Sequence, residues 1–205
     1  YAVLALLPSY LERDGSSLVY MVEDMIQESK HHKSGFYLDD LNALKQNLLE
    51  LEASGQKTLL IGVSYALLDL IEFHQFELKH TIIMETGGMK GRRKELIKSE
   101  LHAILKKGFG VNIIHSEYGM TELLSQAYSN GEGQFSTPSW MKVLIRDPED
   151  ALSILSKGKS GGINIIDLAN IHSCAFIATQ DLGKIHENGT FEVLGRFDQS
   201  DIRGC

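Results

Sequence analysis

The sequence predicts an α/β fold: a parallel sheet with packed helices, followed by a smaller antiparallel, β-rich and barrel-like subdomain. Three observations predict it. As far as Tyr128, short apolar β-type runs alternate with amphipathic helical segments. Beyond Tyr128 the helical period stops and only short β-type runs follow. Between the last two runs stands Asn188-Gly189, the strongest short-range hairpin signal in the chain. The expected division is therefore 1–128, α/β, and 129–205, β-rich.

Each element has its own reason. Tyr1–Leu7 is an apolar run that reads as a buried strand. After the loop PSYLERDGS, Ser16 or Ser17 caps a helix whose Leu18, Met21, Val22, Met25 and Ile26 form one stripe. Asp39 or Asp40 starts a second helix, with Leu41, Leu44, Leu48 and Leu51 on one face and Gly55 closing it. TLLIGV (58–63) is a strand, and a helix from about Tyr65 to Phe73 follows. TIIME (81–85) is the next strand, and RRKELIKSELHAILKKG is a helix ended by Gly108. VNIIHSE (111–117) is a further strand, leading to a short helix through Leu123 and Leu124. SNGEGQFSTPSW reads as a polar connection, after which MKVLIRD, GINIIDL, SCAFIAT, GKIHE and TFEVLG are the β-type runs.

Composition narrows the function classes. Of 205 residues, 43% are hydrophobic and 23% charged, enough apolar surface to offset chain entropy by burial. A net charge of −7 repels phosphate backbones at long range, which argues against a nucleic-acid scaffold. No apolar run approaches the ~20 residues of a membrane span. Cys174 and Cys205 are too few for a disulfide framework and lack zinc-type pairing, so the cytoplasm is the default location. The chain begins at Tyr1 within a strand and closes on GRFDQSDIRGC, and is expected to be a piece of a larger protein.

In an open parallel sheet, ligands bind beyond the carboxyl ends of the strands. Two turns there stand out, TGGMKGRR after TIIME and YGMTE after VNIIHSE. Each is expected to lead into a helix and so to offer N–H groups to an anion. The first adds Thr86, three glycines and the basic Lys90, Arg92 and Arg93. The second adds the aromatic face of Tyr118, flexible Gly119, the Thr121 hydroxyl and the Glu122 carboxylate. Taken singly, these are a glycine-permitted turn and a capped helix start. TQDLG puts Asp181 in a turn between β runs, and GRFD puts Arg196 just past the last hairpin strand. Singly, these too are a turn-stabilising Asp and a surface Arg. The histidines lack metal spacing. Only His115 lies close to the proposed site, and it reads as a strand residue.

In order, TGG, YGMTE, TQDLG and GRFDQSDIRG resemble the adenylate-forming superfamily of acyl- and aryl-CoA ligases, luciferases and related enzymes. Within it, the segments LLPSYLERDGSSLVYM, METGGMKGRRKEL, HSEYGMTELLSQAY, DLANIHSCAFIATQDLG and GRFDQSDIRGC look like the acyl-protein synthetase family. That family supplies the fatty-acid ligase component of bacterial luminescence fatty-acid reductase. The resemblance implies that a carboxylic acid attacks the α-phosphate of ATP, with Mg2+, to give an acyl-adenylate and pyrophosphate. A thiol then displaces AMP.

The resemblance also implies roles. Tyr118 stacks on adenine, and main chain at Thr86, Gly87 and Gly88 approaches the purine, with Gly119 giving the second turn its freedom. Thr121 donates to the α-phosphate and Glu122 is the Mg2+ ligand. Asp181 accepts from the ribose hydroxyls, and Arg196 serves the ribose or phosphate side. Cys205, after SDIRG and near Arg203, is the implied acyl acceptor, since a neighbouring cation favours thiolate. Cys174, in an apolar run, reads as buried and inert. The implied partners are a small carboxylic acid, a fatty acid foremost, and an acyl-protein reductase. The superfamily's Ser/Thr/Gly-rich phosphate loop has no counterpart here. The chain thus carries the adenosine and magnesium side without the main triphosphate grip, and weak nucleotide binding is expected of it alone. A phenylacetate-type ligase using coenzyme A, and a non-catalytic binding module retaining the fold, are the alternatives.

Overall fold

Residues 1–7, 16–38, 40–89, 92–94 and 96–197 are described in the computed structural model of the chain. Lys90, Arg203 and Cys205 lie outside them. The chain forms two compact units that divide between Ser116 and Glu117. The compositional change at Tyr128 falls later than this division.

In the first unit the strands β1 (Ala2–Leu6), β2 (Gly35–Phe36), β3 (Thr58–Val63), β4 (Thr81–Thr86) and the start of β5 (His115–Tyr118) pair in the order β2-β1-β3-β4-β5, all parallel. β1 and β3 are buried throughout, as a strand covered on both faces must be. Four helices accompany them: α1 (Ser17–Ser29), α2 (Leu41–Ala53), α3 (Ser64–Phe73) and α4 (Lys98–Phe109). Ser16 caps α1 by accepting from Val19 N, and Asp40 caps α2 by accepting from Ala43 N at 2.9 Å. Leu44, Leu48 and Leu51 bury the α2 stripe in the core with Leu4, Leu60 and Leu67.

Several boundaries differ from the sequence reading. α4 starts at Lys98 and not at Arg92, because Arg93 is drawn onto α3, where it pairs with Asp69 and Glu72. α4 is closed by Gly110, in the left-handed region at φ 67°, and not by Gly108. Gly108 has a packing role: a Cβ there would meet Ile71 of α3 at 2.6 Å. The strand expected from Val111 begins only at His115, since Val111 N is still engaged by Lys106 O at the helix end. No helix follows Tyr118; residues 121–122 form a turn closed by Leu123 N donating to Met120 O at 3.0 Å.

In the second unit, β6 (Ala127–Ser129), β7 (Gln134–Ser136), β8 (Met141–Arg146), β9 (Ser160–Asp167), β10 (Phe176–Ile185) and β11 (Phe191–Arg196) pair antiparallel in the order β6-β7-β11-β10-β9-β8. The expected hairpin is present: Ile185 pairs Phe191, and Gly189 takes φ 87° at the tip. β7 arises inside the segment read as a polar connection, and β6 ends on its first residue, Ser129. The runs SCAFIAT and GKIHE are not two strands. β10 runs through both, with an irregularity between Ala178 and Leu182 in place of the expected turn. Phe135, Phe191, Ile145, Ile163, Ile165 and Leu123 form this unit's core. Among the described residues no helix is long and apolar enough to cross a membrane.

Candidate nucleotide site

Asp181 lies within β10, directly opposite Arg196 of β11, so neither is in a turn. The irregular stretch of β10 is pinned from β8 and β9. Arg146 Nη2 donates to Thr179 O at 2.6 Å, and Thr179 Oγ1 donates to Ile163 O at 2.9 Å. Thr179 Oγ1 also accepts from Asp181 N at 3.1 Å. These bonds fix the backbone that carries the carboxylate. Tyr118 Oη donates to Asp181 Oδ2 at 2.7 Å, and Arg196 Nε stands 3.6 Å from Asp181 Oδ1. The Tyr118 ring is held edge-on to Phe191, with centroids 5.6 Å apart, and tilted against Phe135 at 5.9 Å. Three residues far apart in the chain therefore meet: an aromatic face, a carboxylate and a guanidinium.

Thr121 and Glu122 follow on the turn after Tyr118, and both are exposed. The main chain here is anchored: Asn170 Nδ2 donates to Glu122 O at 2.7 Å. Gly119 sits close to the Glu117 side chain, and a Cβ there would displace its carboxylate end. Thr86, Gly87 and Gly88 belong to the first unit. Gly87 adopts φ 65° and its carbonyl accepts from Ser64 Oγ at 3.2 Å, while a Cβ at Gly88 would meet open space. Of the basic cluster, Arg93 is committed to Asp69 and Glu72, and Arg92 lies over the Tyr65 ring at 5.0 Å. The hydrogen bonds that Arg93 donates to Glu72, and then those to Asp69, raise its pKa against burial. Neither turn feeds directly into a helix N-terminus, as the sequence reading expected. His115 opens β5, half-buried, opposite Met84.

Cys174 is exposed, not buried: it precedes β10 in a turn, with Sγ donating to Phe176 O at 3.4 Å. The apolar residues of SCAFIA misled because Phe176, its large member, is itself exposed. Cys205 falls outside the described residues.

The residue that sequence reasoning missed is Glu85, 1% exposed. Its Oε1 accepts from Lys98 Nζ at 2.6 Å and from Ser116 Oγ, with His102 Nε2 at 3.3 Å; Ser64 Oγ donates to Oε2 at 3.3 Å. Burial pushes this carboxyl up, but Lys98 and the hydrogen bonds from His102, Lys98 and Ser116 outweigh it and hold the pKa at about 2. The signal was available: strand alternation puts Glu85 on the face of buried Ile83 and Thr81. A buried carboxylate demands partners.

Among the described residues no three metal-ligating side chains cluster. Mg2+ at a nucleotide needs only one or two carboxylates, with phosphates and water completing its shell. The exposed, hard-oxygen Glu122 on an anchored turn fits that need. A fixed aromatic ring beside a carboxylate, 16% exposed at its side chain, fits a nucleoside.

The fold matches solved structures of one class. ATP-bound MatB from Rhodopseudomonas palustris aligns with TM-score 0.65 and 19% identity, over 95% of this chain and 40% of that one. The luciferase-like enzyme from the mealworm Zophobas morio aligns with TM-score 0.61 and 13% identity, over 96% and 50%. The o-succinylbenzoate CoA synthetase MenE from Bacillus subtilis, in complex with a product analogue, aligns with TM-score 0.63 and 18% identity, over 96% and 40%. The fold is thus that of part of an adenylate-forming ligase or luciferase domain, and the chain spans about 40% of the length of the first of these relatives. No curated protein sequence matches the chain. The family profile described as "Acyl-protein synthetase, LuxE" matches residues 24–205, and the chain belongs to that family.

Proposed function

We propose that the protein is an ATP-dependent acyl-protein synthetase that activates a carboxylic acid, a fatty acid foremost, as an acyl-adenylate and loads it on its own Cys205. The observation that carries this reading is the Tyr118–Asp181–Arg196 cluster, with its 2.7 Å hydrogen bond. Tyr118 offers a π-face for adenine, its ring packed against Phe135 and Phe191. Asp181 has lone pairs to spare for ribose hydroxyls, and Arg196 presents a planar fork to ribose or phosphate. Main chain at Thr86, Gly87 and Gly88 is assigned to the purine. Thr121 donates to the α-phosphate as the acid's oxygen attacks and pyrophosphate leaves. Glu122 holds Mg2+, which when bound neutralises charge on the phosphate oxygens. The Cys205 thiolate then attacks the acyl carbon, AMP departs, and the thioester passes to an acyl-protein reductase.

Because Cys174 is exposed, burial no longer separates the two thiols. Pyrophosphate exchange on full-length protein tests the first step: Glu122→Gln should abolish it. Cys205→Ser should leave exchange intact and remove the protein-bound thioester, while Cys174→Ser should keep it. A hydroxylamine-sensitive acyl label on Cys205→Ser protein overturns the thiol assignment, and acyl-CoA formed by that variant makes coenzyme A the acceptor. A pure binding module would give no saturable heat with an acyl-sulfamoyl adenosine.

A further inference from the structure

The turn that carries Thr121 and Glu122 is held by a buried brace built on Asp167 and Asn170. Asp167, at the end of β9, is 0% exposed. Its Oδ2 accepts from Leu124 N and Ser125 N, both at 3.0 Å, and its Oδ1 from Ser125 Oγ at 2.7 Å and Ala169 N at 3.1 Å. Ser125 Oγ in turn accepts from Trp140 Nε1 at 2.9 Å. One turn further on, Asn170 is 4% exposed and donates through Nδ2 to Glu122 O at 2.7 Å and to Cys174 O at 3.0 Å. Leu123, between the two grips, is buried in the core of the unit.

The main chain is therefore fixed at residues 122, 123, 124 and 125, while the Thr121 and Glu122 side chains stay exposed. The N–H groups that a helix start would have turned toward a ligand are spent on Asp167. An anchored backbone under a free carboxylate is the arrangement that lets an exposed side chain hold an ion without a large ordering cost.

The geometry points to Asn170 and Asp167 as positioning residues for Glu122, acting through its main chain on metal-nucleotide binding. This rests on the reading of Glu122 as the Mg2+ ligand. Outer partners of this kind are worth ~10-fold or more in metal affinity. Asn170 is the residue to change, because its loss removes two hydrogen bonds at the edge of the brace and leaves the Asp167 cluster in place.

The test uses full-length protein, with Mn2+ as the probe metal, titrated in the presence of saturating ATP and followed by electron paramagnetic resonance. Asn170→Ala should weaken Mn2+ binding ~10-fold, and should speed amide hydrogen exchange at residues 123–125. Adenosine binding without metal should change less than about twofold, since base and ribose are assigned to Tyr118, Asp181 and Arg196, none of which the brace bonds directly. Asn170→Asp, which turns an acceptor toward two carbonyls, should weaken Mn2+ binding further. Equal losses in Mn2+ and adenosine binding would make the brace merely structural and overturn the proposal. So would unchanged Mn2+ binding beside faster exchange. Wild-type protein that binds AMP but shows no ATP-dependent Mn2+ binding would instead sink the Glu122 assignment itself, and the inference with it.

Discussion

Two carboxylates, one in each unit, show opposite uses of the same group. Glu85 is sealed: Lys98, His102, Ser116 and Ser64 surround it, and it is held ionised by them. Asp181 is open: it has one hydroxyl and one more distant guanidinium, and part of its surface faces solvent. A sealed carboxylate with its partners filled has no capacity for a ligand and ties elements together. Ser64 starts α3, Ser116 lies on β5, and Lys98 and His102 lie on α4. An open one keeps acceptor capacity, at the expense of contributing little to stability. Burial and partner count, more than residue type, separate framework from site.

The comparison breaks first at Glu85. Glu85→Ala leaves Lys98 and His102 beside an empty buried position and should cost about 3–5 kcal/mol in urea unfolding. The acid limb gives the next largest effect. The carboxyl falls from an ordinary 4.5 to about 2 on folding. Its stabilisation is therefore complete above pH 4.5 and is lost as pH drops toward 2, amounting to roughly 3 kcal/mol. Denaturation measured at pH 6 and pH 3 should show about two-thirds of this loss, roughly 2 kcal/mol, and Glu85→Gln should flatten it. Asp181→Asn should do the reverse of Glu85→Ala. Its unfolding should shift by only about 1 kcal/mol, since the amide oxygen still accepts from Tyr118 Oη, whereas AMP binding by calorimetry should weaken by about 1.5–3 kcal/mol. Tyr118→Phe keeps the ring and removes the hydroxyl, so AMP binding should weaken by only about 1 kcal/mol. Smallest is Arg93→Ala: its ion pairs with Asp69 and Glu72 are largely exposed and should contribute no more than about 1 kcal/mol to stability.

What the sequence made legible was chemistry between near neighbours. Ser16 and Asp40 announce their helices because the capping oxygen and its N–H are three residues apart. Asn188-Gly189 announces its hairpin for the same reason. What it hid depends on partners distant in the chain. No local signal tells that Asp167 takes the N–H groups of Leu124 and Ser125 and so replaces the expected helix by a turn. Nor does Asp-Leu-Gly, which has turn chemistry, reveal that ladders with β9 and β11 keep β10 extended through it. The residue types of the candidate site were readable in order. That the Tyr118 hydroxyl donates to Asp181, and that Asn170 stands behind Glu122, was not, since those contacts join β10 and the turn before it to residues dozens of positions away.

Placing Asp181 in a strand has a consequence for how this site could change over evolutionary time. Consecutive strand residues point to opposite faces, so a one-residue insertion in the hairpin tip, if it propagated along β10, would turn the carboxylate away from the Tyr118 hydroxyl without altering a single site residue. The irregularity at Leu182–Gly183, between the tip and the acid, is where such a change would have to be absorbed for the carboxylate to keep its face.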